Sequence, residues 1–324
     1  MSAPVGELSS LLGLDPATYR PHMLHAPERT YVETNCYLDI VIELLHARGD
    51  EPTAALGRAV RTDFEGDQWT FFKPDPHDLE TLFGLDIHEV QPYRSLPEQI
   101  AEQIADGRTL IIELDSWYLP DTHATAYRRE HVKSSAVMAA IDTDAKQLHY
   151  FHNRGLYALE GEDFDAALRL HLPTGDDHLP PYTELVRFDV GARLSGMELK
   201  EESRRLLRGH LRLAPRSNPF ARFAASLETA LPRLLEQSHE EYHAYAFATV
   251  RMAGSAFELC GSYVDWLFGD RAATARDRCD AIVAGSKALS FKLARRKPFD
   301  VQPLVTQLGS AWDEAMESIA ALAA

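Results

Sequence analysis

The chain has 324 residues, of which 45% are hydrophobic and 25% are charged. This composition is ordinary for a globular protein and argues against a disordered or fibrous chain, and the length suffices for one large domain or two modest ones. The 49 acidic residues outnumber the 33 basic ones and give a formal net charge of −16. Because nucleic acid and anionic membranes repel such a chain, we expect neither as a partner.

No stretch approaches the roughly 18 uncharged apolar residues of a membrane-spanning helix. The N-terminal segment has neither a basic start nor a long apolar run, so it does not resemble a secretory signal. The three cysteines, Cys36, Cys260 and Cys279, are odd in number, widely spaced and without a CxxC pair. They argue against a disulfide framework or a zinc knuckle and favour a reducing, cytoplasmic location.

Helix and strand patterns are mixed in the first half of the chain. Residues 36–46 predict an amphipathic helix that Thr34 or Asn35 caps, with Asp39, Glu43 and His46 turned away from its apolar side. Short helices are predicted at 52–60, 76–83 and 96–106, and strands at 109–114, 132–141, 147–152 and 156–159.

The second half is almost purely helical. A Pro-rich acidic segment at 172–182 predicts a linker or loop. Beyond it, stripes of helical period predict a bundle with helices at 197–213, 220–237, 239–268, 273–294 and 301–323. We therefore predict an α+β domain with an antiparallel sheet over residues 1–190 and a helical domain over 191–324.

Cys36 is the cysteine whose position suggests chemistry. It stands at the predicted start of a helix, where the dipole and the free backbone N–H groups stabilise a thiolate and can hold an oxyanion. The other two cysteines fall in mid-helix among apolar neighbours and predict core positions. The alternative for Cys36 is a structural cysteine, because a free thiol packs well as a small hydrophobe.

A thiolate nucleophile needs a base and a group that orients the base. His131 opens one predicted strand and Asn153 ends the next, so adjacent antiparallel strands would bring the two side by side. The predicted catalytic set is Cys36, His131 and Asn153, in the papain-like arrangement. His149 and His152 are rival bases, and a surface histidine and a turn asparagine remain the alternative interpretation.

Two other segments contain polar and aromatic groups suited to a substrate pocket. The segment 63–74 follows the pattern DFEGDQWTFFKP, and DSWYLP ends the strand at 109–114. The alternatives are a β-turn with a hydrophobic anchor and a capped strand end. The predicted substrate-binding residues, including one that precedes the thiol, are Asn35, Glu65, Asp67, Gln68, Trp69, Asp115 and Tyr118.

The order of four segments resembles that in the N-terminal domain of the butirosin-biosynthesis acyltransferase and its relatives. The segments are TNCYLDIVIELL, DFEGDQWTFF, DSWYLP and HVKSSAVMAAID…LHYFHN. They resemble still more closely an uncharacterised bacterial family found with amino acid:carrier protein ligases. The resemblance covers roughly residues 25–165 and implies a papain-like fold. It also implies transfer of an aminoacyl group from a carrier protein's phosphopantetheine thioester to an amine. Where the relatives often have Asp-Pro, this chain has Asn153–Arg154.

On this hypothesis Cys36 attacks the thioester, His131 takes the thiol proton, and backbone N–H groups with Asn35 or Gln68 hold the oxyanion. A thioester is already activated, so no cofactor is expected beyond the phosphopantetheine arm that the aminoacyl carrier protein supplies. Carrier proteins are usually acidic, so docking requires a local basic patch. The predicted docking patch consists of Arg204, Arg205, Arg208 and Arg212, and a second candidate patch lies at 287–297. The alternative interpretation of such a basic run is a solvated helix face.

Three other functions remain open at this level. A cysteine peptidase or amidase would use the same triad with water as acceptor. A carrier-binding scaffold without catalysis would use the helical half as its working surface. A metal site at His239 and His243 is the weakest, because the sequence lacks an HExxH motif and a solvated helix face explains the pair equally.

Overall fold

The computed structural model describes residues 8–170 and 179–324, with the side chains of Phe247 and Ala248 left aside. Most of the Pro-rich segment predicted as a linker at 172–182 lies outside the described residues. No helix within the described residues is long and apolar enough to cross a membrane.

Nine strands and ten α-helices make up the regular structure of the described residues. The strands are β1 (Ser9–Ser10), β2 (Phe64–Glu65), β3 (Gln68–Trp69), β4 (Asp86–Val90), β5 (Thr109–Asp115), β6 (Lys133–Asp142), β7 (Gln147–His152), β8 (Gly155–Glu160) and β9 (Thr183–Arg187). The helices are α1 (Cys36–Ala47), α2 (Pro76–Phe83), α3 (Leu96–Ala105), α4 (Gly161–Ala167), α5 (Gly196–Arg212), α6 (Pro219–Glu236), α7 (His239–Ala246), α8 (Met252–Phe268), α9 (Ala273–Ala294) and α10 (Gln302–Ala323).

The chain forms two units, and the division between them is not a single cut. Unit 1 contains Met1–His25, Asn35–Pro52 and Pro76–Arg193. Unit 2 contains Ala26–Thr34, Thr53–Asp75 and Leu194–Ala324. The main border lies three residues beyond the predicted one at 190, but two segments of the first half belong to unit 2 rather than to the contiguous domain that we predicted.

Unit 1 is built on a seven-stranded sheet with the order β4-β9-β5-β6-β7-β8, and β1 pairs with the far end of β6. Every pairing is antiparallel. Because side chains alternate along a strand, one face of the sheet carries Leu110, Ile112, Leu114, Ala136 and Met138, which form a core with α3 and α4. The other face carries the alternate residues and packs against α1.

Unit 2 is mainly helical. Helices α8, α9 and α10 pack successively against one another, and α6 and α5 contact α10. The predicted helix at 239–268 is interrupted, since a π-helical turn at Phe247–Arg251 separates α7 from α8. The short helix predicted at 52–60 is a 3₁₀ segment at Pro52–Arg61.

The core helix of unit 1 differs from its predicted pattern. Asp39 and Glu43, expected to face away from the apolar side into water, are buried in α1. Both carboxylates contact the imidazole of the buried His25, and Glu43 also accepts hydrogen bonds from the Tyr19 hydroxyl and the His22 amide. The segment 19–25 therefore covers the side of α1 that we predicted to face solvent.

Candidate cysteine site

Cys36 is the first residue of α1, and its side chain is half-buried. The Asn35 side chain accepts a hydrogen bond from the Leu38 amide at 2.9 Å, which is the usual N-cap geometry. Asn35, predicted to help hold the oxyanion, is thus engaged as the cap. The thiol nevertheless stands where the helix dipole favours negative charge.

The thiol of Cys36 faces strand β6. Its Sγ lies 3.8 Å from the Ser135 Oγ, and no other hydrogen bond of the thiol occurs among the described residues. Among the described residues, the hydrogen-bond partner of the sulfur is therefore a serine hydroxyl and not the His131 imidazole that we predicted as its base.

His131 lies further along the same sheet face, just before β6. Its Nδ1 is 2.7 Å from the Asp115 Oδ2, and its ring stacks on Trp117 with centroids 4.5 Å apart and planes 8° from parallel. The side chain is 64% exposed. Asp115, which holds the ring, stands two positions from Glu113, the strand partner of Ser135, a step of about 7 Å along the strand.

Asn153 does not lie beside His131, so this geometric expectation needs a correction. The register pairs Ala136 with His152, and continuing it places Asn153 at the level of Ser135. Asn153 occupies the β7–β8 turn with a φ of 47°, as asparagine often does in turns. Asp115, predicted as a substrate-binding residue, is the group that orients His131.

Neither of the two rival bases, His149 and His152, hydrogen bonds to the Cys36 thiol within the described residues. His152 is buried, with its Nε2 2.6 Å from the Ser134 Oγ and its Nδ1 2.6 Å from Asp121. Asp121 also accepts a hydrogen bond from the Tyr150 hydroxyl. His149 lies on β7, and burial lowers its pKa. The His152 network therefore ties the segment that carries Trp117 to the sheet.

A cleft of about 490 Å³ opens beside His131. Glu113 and Lys133 face each other across β5 and β6 with Oε1 and Nζ 2.6 Å apart. Glu113 pairs directly with Ser135 in the sheet register, so the cleft and the thiol share one face. The cleft is lined by Glu113, Leu114, Asp115, His131, Val132, Lys133, Arg169, Leu179, Pro180, Pro181 and Tyr182.

Sequence reasoning missed three glutamates of this face, Glu89, Glu113 and Glu184, and the Ser135 that meets the thiol. Glu113 is the polar residue inside the apolar run TLIIEL, and that interruption was the available signal. Glu184 belongs to β9, whose sequence TELVR has too few apolar residues to predict a strand. Strand β4, DIHEV, was missed for the same reason.

The other predicted pocket residues are placed as follows. Glu65, Asp67, Gln68 and Trp69 lie in unit 2, where the Trp69 ring packs on Phe220 and Phe223. Tyr118 follows β5 in unit 1 and lies 5.5 Å under the Arg128 guanidinium. Their roles in substrate binding stay predictions.

The arginines predicted for carrier docking lie on α5, and three of them have partners within unit 2. Arg204 stacks on Phe268, Arg205 pairs with Glu202, and Arg208 donates to the Ala323 carbonyl. Arg212 is exposed. The docking role of this face stays a prediction.

The two remaining cysteines and the histidines His239 and His243 form two separate pairs in unit 2. Both thiols are fully buried, and a hydrogen bond with Cys260, together with burial, raises the pKa of the Cys279 thiol, as expected of structural rather than reactive cysteines. His239 and His243 lie with their Nε2 atoms 3.2 Å apart on α7. No third metal-ligand side chain joins them within the part of the chain that the structure describes.

Together the fold and the site define a two-domain protein. It has an α+β unit with an antiparallel sheet, which holds a half-buried cysteine at a helix start, and a helical C-terminal region. Residues 20–188 match the DUF1839 N-terminal domain and residues 196–321 match the DUF1839 C-terminal domain. The chain belongs to this family. No curated protein matches it.

Proposed function

We propose that unit 1 is a papain-like cysteine acyltransferase, which takes an aminoacyl group from the phosphopantetheine thioester of a carrier protein. The observation that carries the proposal is the position of Cys36. Its thiol is half-buried at the first turn of α1, where free N–H groups favour a thiolate and can stabilise an oxyanion. It faces the same side of the sheet as the cleft of about 490 Å³.

In the first step the Cys36 sulfur attacks the thioester carbonyl. The new carbon–sulfur bond to Cys36 forms, the bond to pantetheine breaks, and the proton of the Cys36 thiol ends on the pantetheine sulfur. Because one thioester is exchanged for another, the two sides of this step are close in free energy, and we propose that the helix terminus and the Ser135 hydroxyl support it without an imidazole at the sulfur. The proposal needs no metal or nucleotide.

In the second step an acceptor amine attacks the Cys36 thioester. An amide bond forms, the carbon–sulfur bond to Cys36 breaks, and a proton from the amine returns to the sulfur. We assign His131 to this step rather than to the resting thiol, because its imidazole is held by Asp115 in the open cleft. A positioned imidazole of this kind typically contributes a factor of about 10² to 10⁴.

The test separates the two steps by intact-mass spectrometry of the full chain with aminoacyl-loaded carrier protein. Wild type should gain one acyl mass and Cys36→Ala none, while Cys260→Ala serves as the matched control and should acylate normally. His131→Ala should acylate within a few-fold of wild type but lose about 100-fold in transfer to an added amine. An adduct that persists in Cys36→Ala would contradict the proposal.

A second candidate is a non-catalytic carrier-binding scaffold, and Ser135 favours it. A serine hydroxyl 3.8 Å from the thiol cannot act as the base that a papain-like nucleophile uses. Absence of an adduct with retained carrier loading would support this function. Release of free acid from the carrier without any amine would instead support the peptidase or amidase type of hydrolase.

A further inference from the structure

Three carboxylates surround Tyr182 on three neighbouring strands. The Tyr182 hydroxyl donates to the Glu184 Oε1 at 2.8 Å. Glu184 lies directly opposite Glu89 in the β9–β4 register, and the Glu113 amide donates to the Tyr182 carbonyl at 3.0 Å. Burial, the hydrogen bond to Glu184 and the charges of Glu184, Glu89 and Glu113 all raise the pKa of Tyr182.

These carboxylates face the same side of the sheet as the thiol. Glu113 pairs with Ser135, and Glu184 pairs with Ile111, which stands two positions before Glu113 on β5. Residues two apart on a strand point to the same face. Tyr37, the residue after Cys36, also hydrogen bonds to Glu184, and burial together with that carboxylate raises the pKa of Tyr37.

The negative charge of this group is not balanced by the described residues. Lys133 pairs with Glu113, but no basic side chain of the described residues forms a salt bridge with Glu89 or Glu184. Glu184 is only 7% exposed, and its Oε2 has no hydrogen-bond partner within that same part of the chain. Burying a carboxylate without a counter-charge costs free energy unless a cation binds to it. Like charges placed directly opposite each other on two strands also repel.

We infer that Glu184, Glu89 and Glu113, with the rings of Tyr182 and Tyr37, form a subsite for a primary ammonium group of the substrate. Carboxylates give charge-assisted hydrogen bonds to an ammonium, and aromatic faces attract it further. The inference rests on the proposed function for the source of that ammonium. The source is either the amine of the acyl group that reaches Cys36 or the acceptor amine.

Calorimetric titration of the full chain with unreactive analogues tests the subsite without any acyl transfer. The analogues are amides of pantetheine, with NH in place of sulfur, that carry a propionyl, 2-aminopropionyl or 3-aminopropionyl group; free propylamine is titrated separately. If the acyl group supplies the ammonium, an aminopropionyl amide should bind roughly tenfold or more tightly than the propionyl amide. If the acceptor supplies it, propylamine should bind and the amides should not differ.

The variant Glu184→Gln keeps the shape of the side chain but removes its charge. It should bring the aminopropionyl and propionyl amides to within about twofold of each other in affinity, or abolish the binding of propylamine, whichever wild type shows. Glu89→Gln, on the exposed edge strand, provides a second variant should the buried one fail to fold, and should weaken the preference several-fold. Glu98→Gln removes the same charge from α3, which packs on the other face of the sheet, and should change nothing.

Equal binding of all amides by wild type together with no binding of propylamine would overturn the inference, as would a preference that survives in Glu184→Gln and Glu89→Gln. The Cys36 adduct is measured separately with the corresponding thioesters. An ammonium preference without any adduct would leave the subsite standing and refute the acyl transfer, whereas an adduct without ammonium preference would refute the subsite alone.

Discussion

The ion pairs of His25 with Asp39 and Glu43 of α1 should make the stability of unit 1 depend on pH in the alkaline range. His25 is 3% exposed and lies between Asp39 and Glu43, with its Nε2 3.3 Å from the Asp39 Oδ1. Burial opposes the imidazolium charge. Hydrogen bonds to both carboxylates and their negative charge outweigh that cost and raise the pKa of His25 to about 9.

The magnitude follows from this pKa. A rise from 6.5 to about 9 corresponds to about 3 kcal/mol of stability. Because the folded pKa is higher than the unfolded one, the contribution is complete below pH about 6.5 and is lost as the pH rises through about 9. The His25→Gln variant should therefore be less stable than wild type by about 3 kcal/mol at pH 6 and by much less at pH 9.5.

The assay is urea-induced unfolding of the full chain at pH 6, 7.5 and 9.5, with wild type, His25→Gln and the exposed-histidine control His123→Gln measured in parallel. The control should follow wild type at every pH. A difference between wild type and His25→Gln that stays constant from pH 6 to 9.5 would refute the assignment of a protonated, carboxylate-bound His25.

Two further predictions concern unit 1, in addition to the Cys36 adduct and the ammonium subsite. Asp121→Ala leaves the buried His152 and the Tyr150 hydroxyl without their shared partner and should cost about 3 kcal/mol in urea unfolding. The exposed-turn variant Asp144→Ala should cost less than about 1 kcal/mol. Equal losses in the two variants would contradict a stabilising role for the His152 network. Gly84 has a φ of 61°, and an added Cβ would lie 2.7 Å from the Gly191 carbonyl oxygen. Gly84→Ala should therefore lower the melting temperature by more than Gly107→Ala, because Gly107, with a φ of 73°, has no neighbour within 4 Å of an added Cβ. The difference between the two variants should correspond to about 2 kcal/mol in the free energy of unfolding.

Local signals determined the elements on which the candidate site is built. The helix at Cys36 was predicted at 36–46 and runs over Cys36–Ala47, because its apolar period and its Asn35 cap are properties of adjacent residues. The strands at Gln147–His152 and Thr109–Asp115 followed from apolar and aromatic runs for the same reason. The helical character of the C-terminal region also required only periodicity within each segment.

Tertiary structure decided which of these residues meet. Strand β9 inserts between β4 and β5, so Glu89, Glu113 and Glu184 converge although no local pattern links them. The register of β6 and β7 placed Asn153 level with Ser135, and only the return of segment 116–132 gave His131 the partner Asp115. Folding of residues 19–25 over α1 buried Asp39 and Glu43. The amphipathic period of α1 could not predict this burial. In the sequence of a helix, a carboxylate that will be buried looks the same as one that will face water, because the partner that allows its burial comes from elsewhere in the chain.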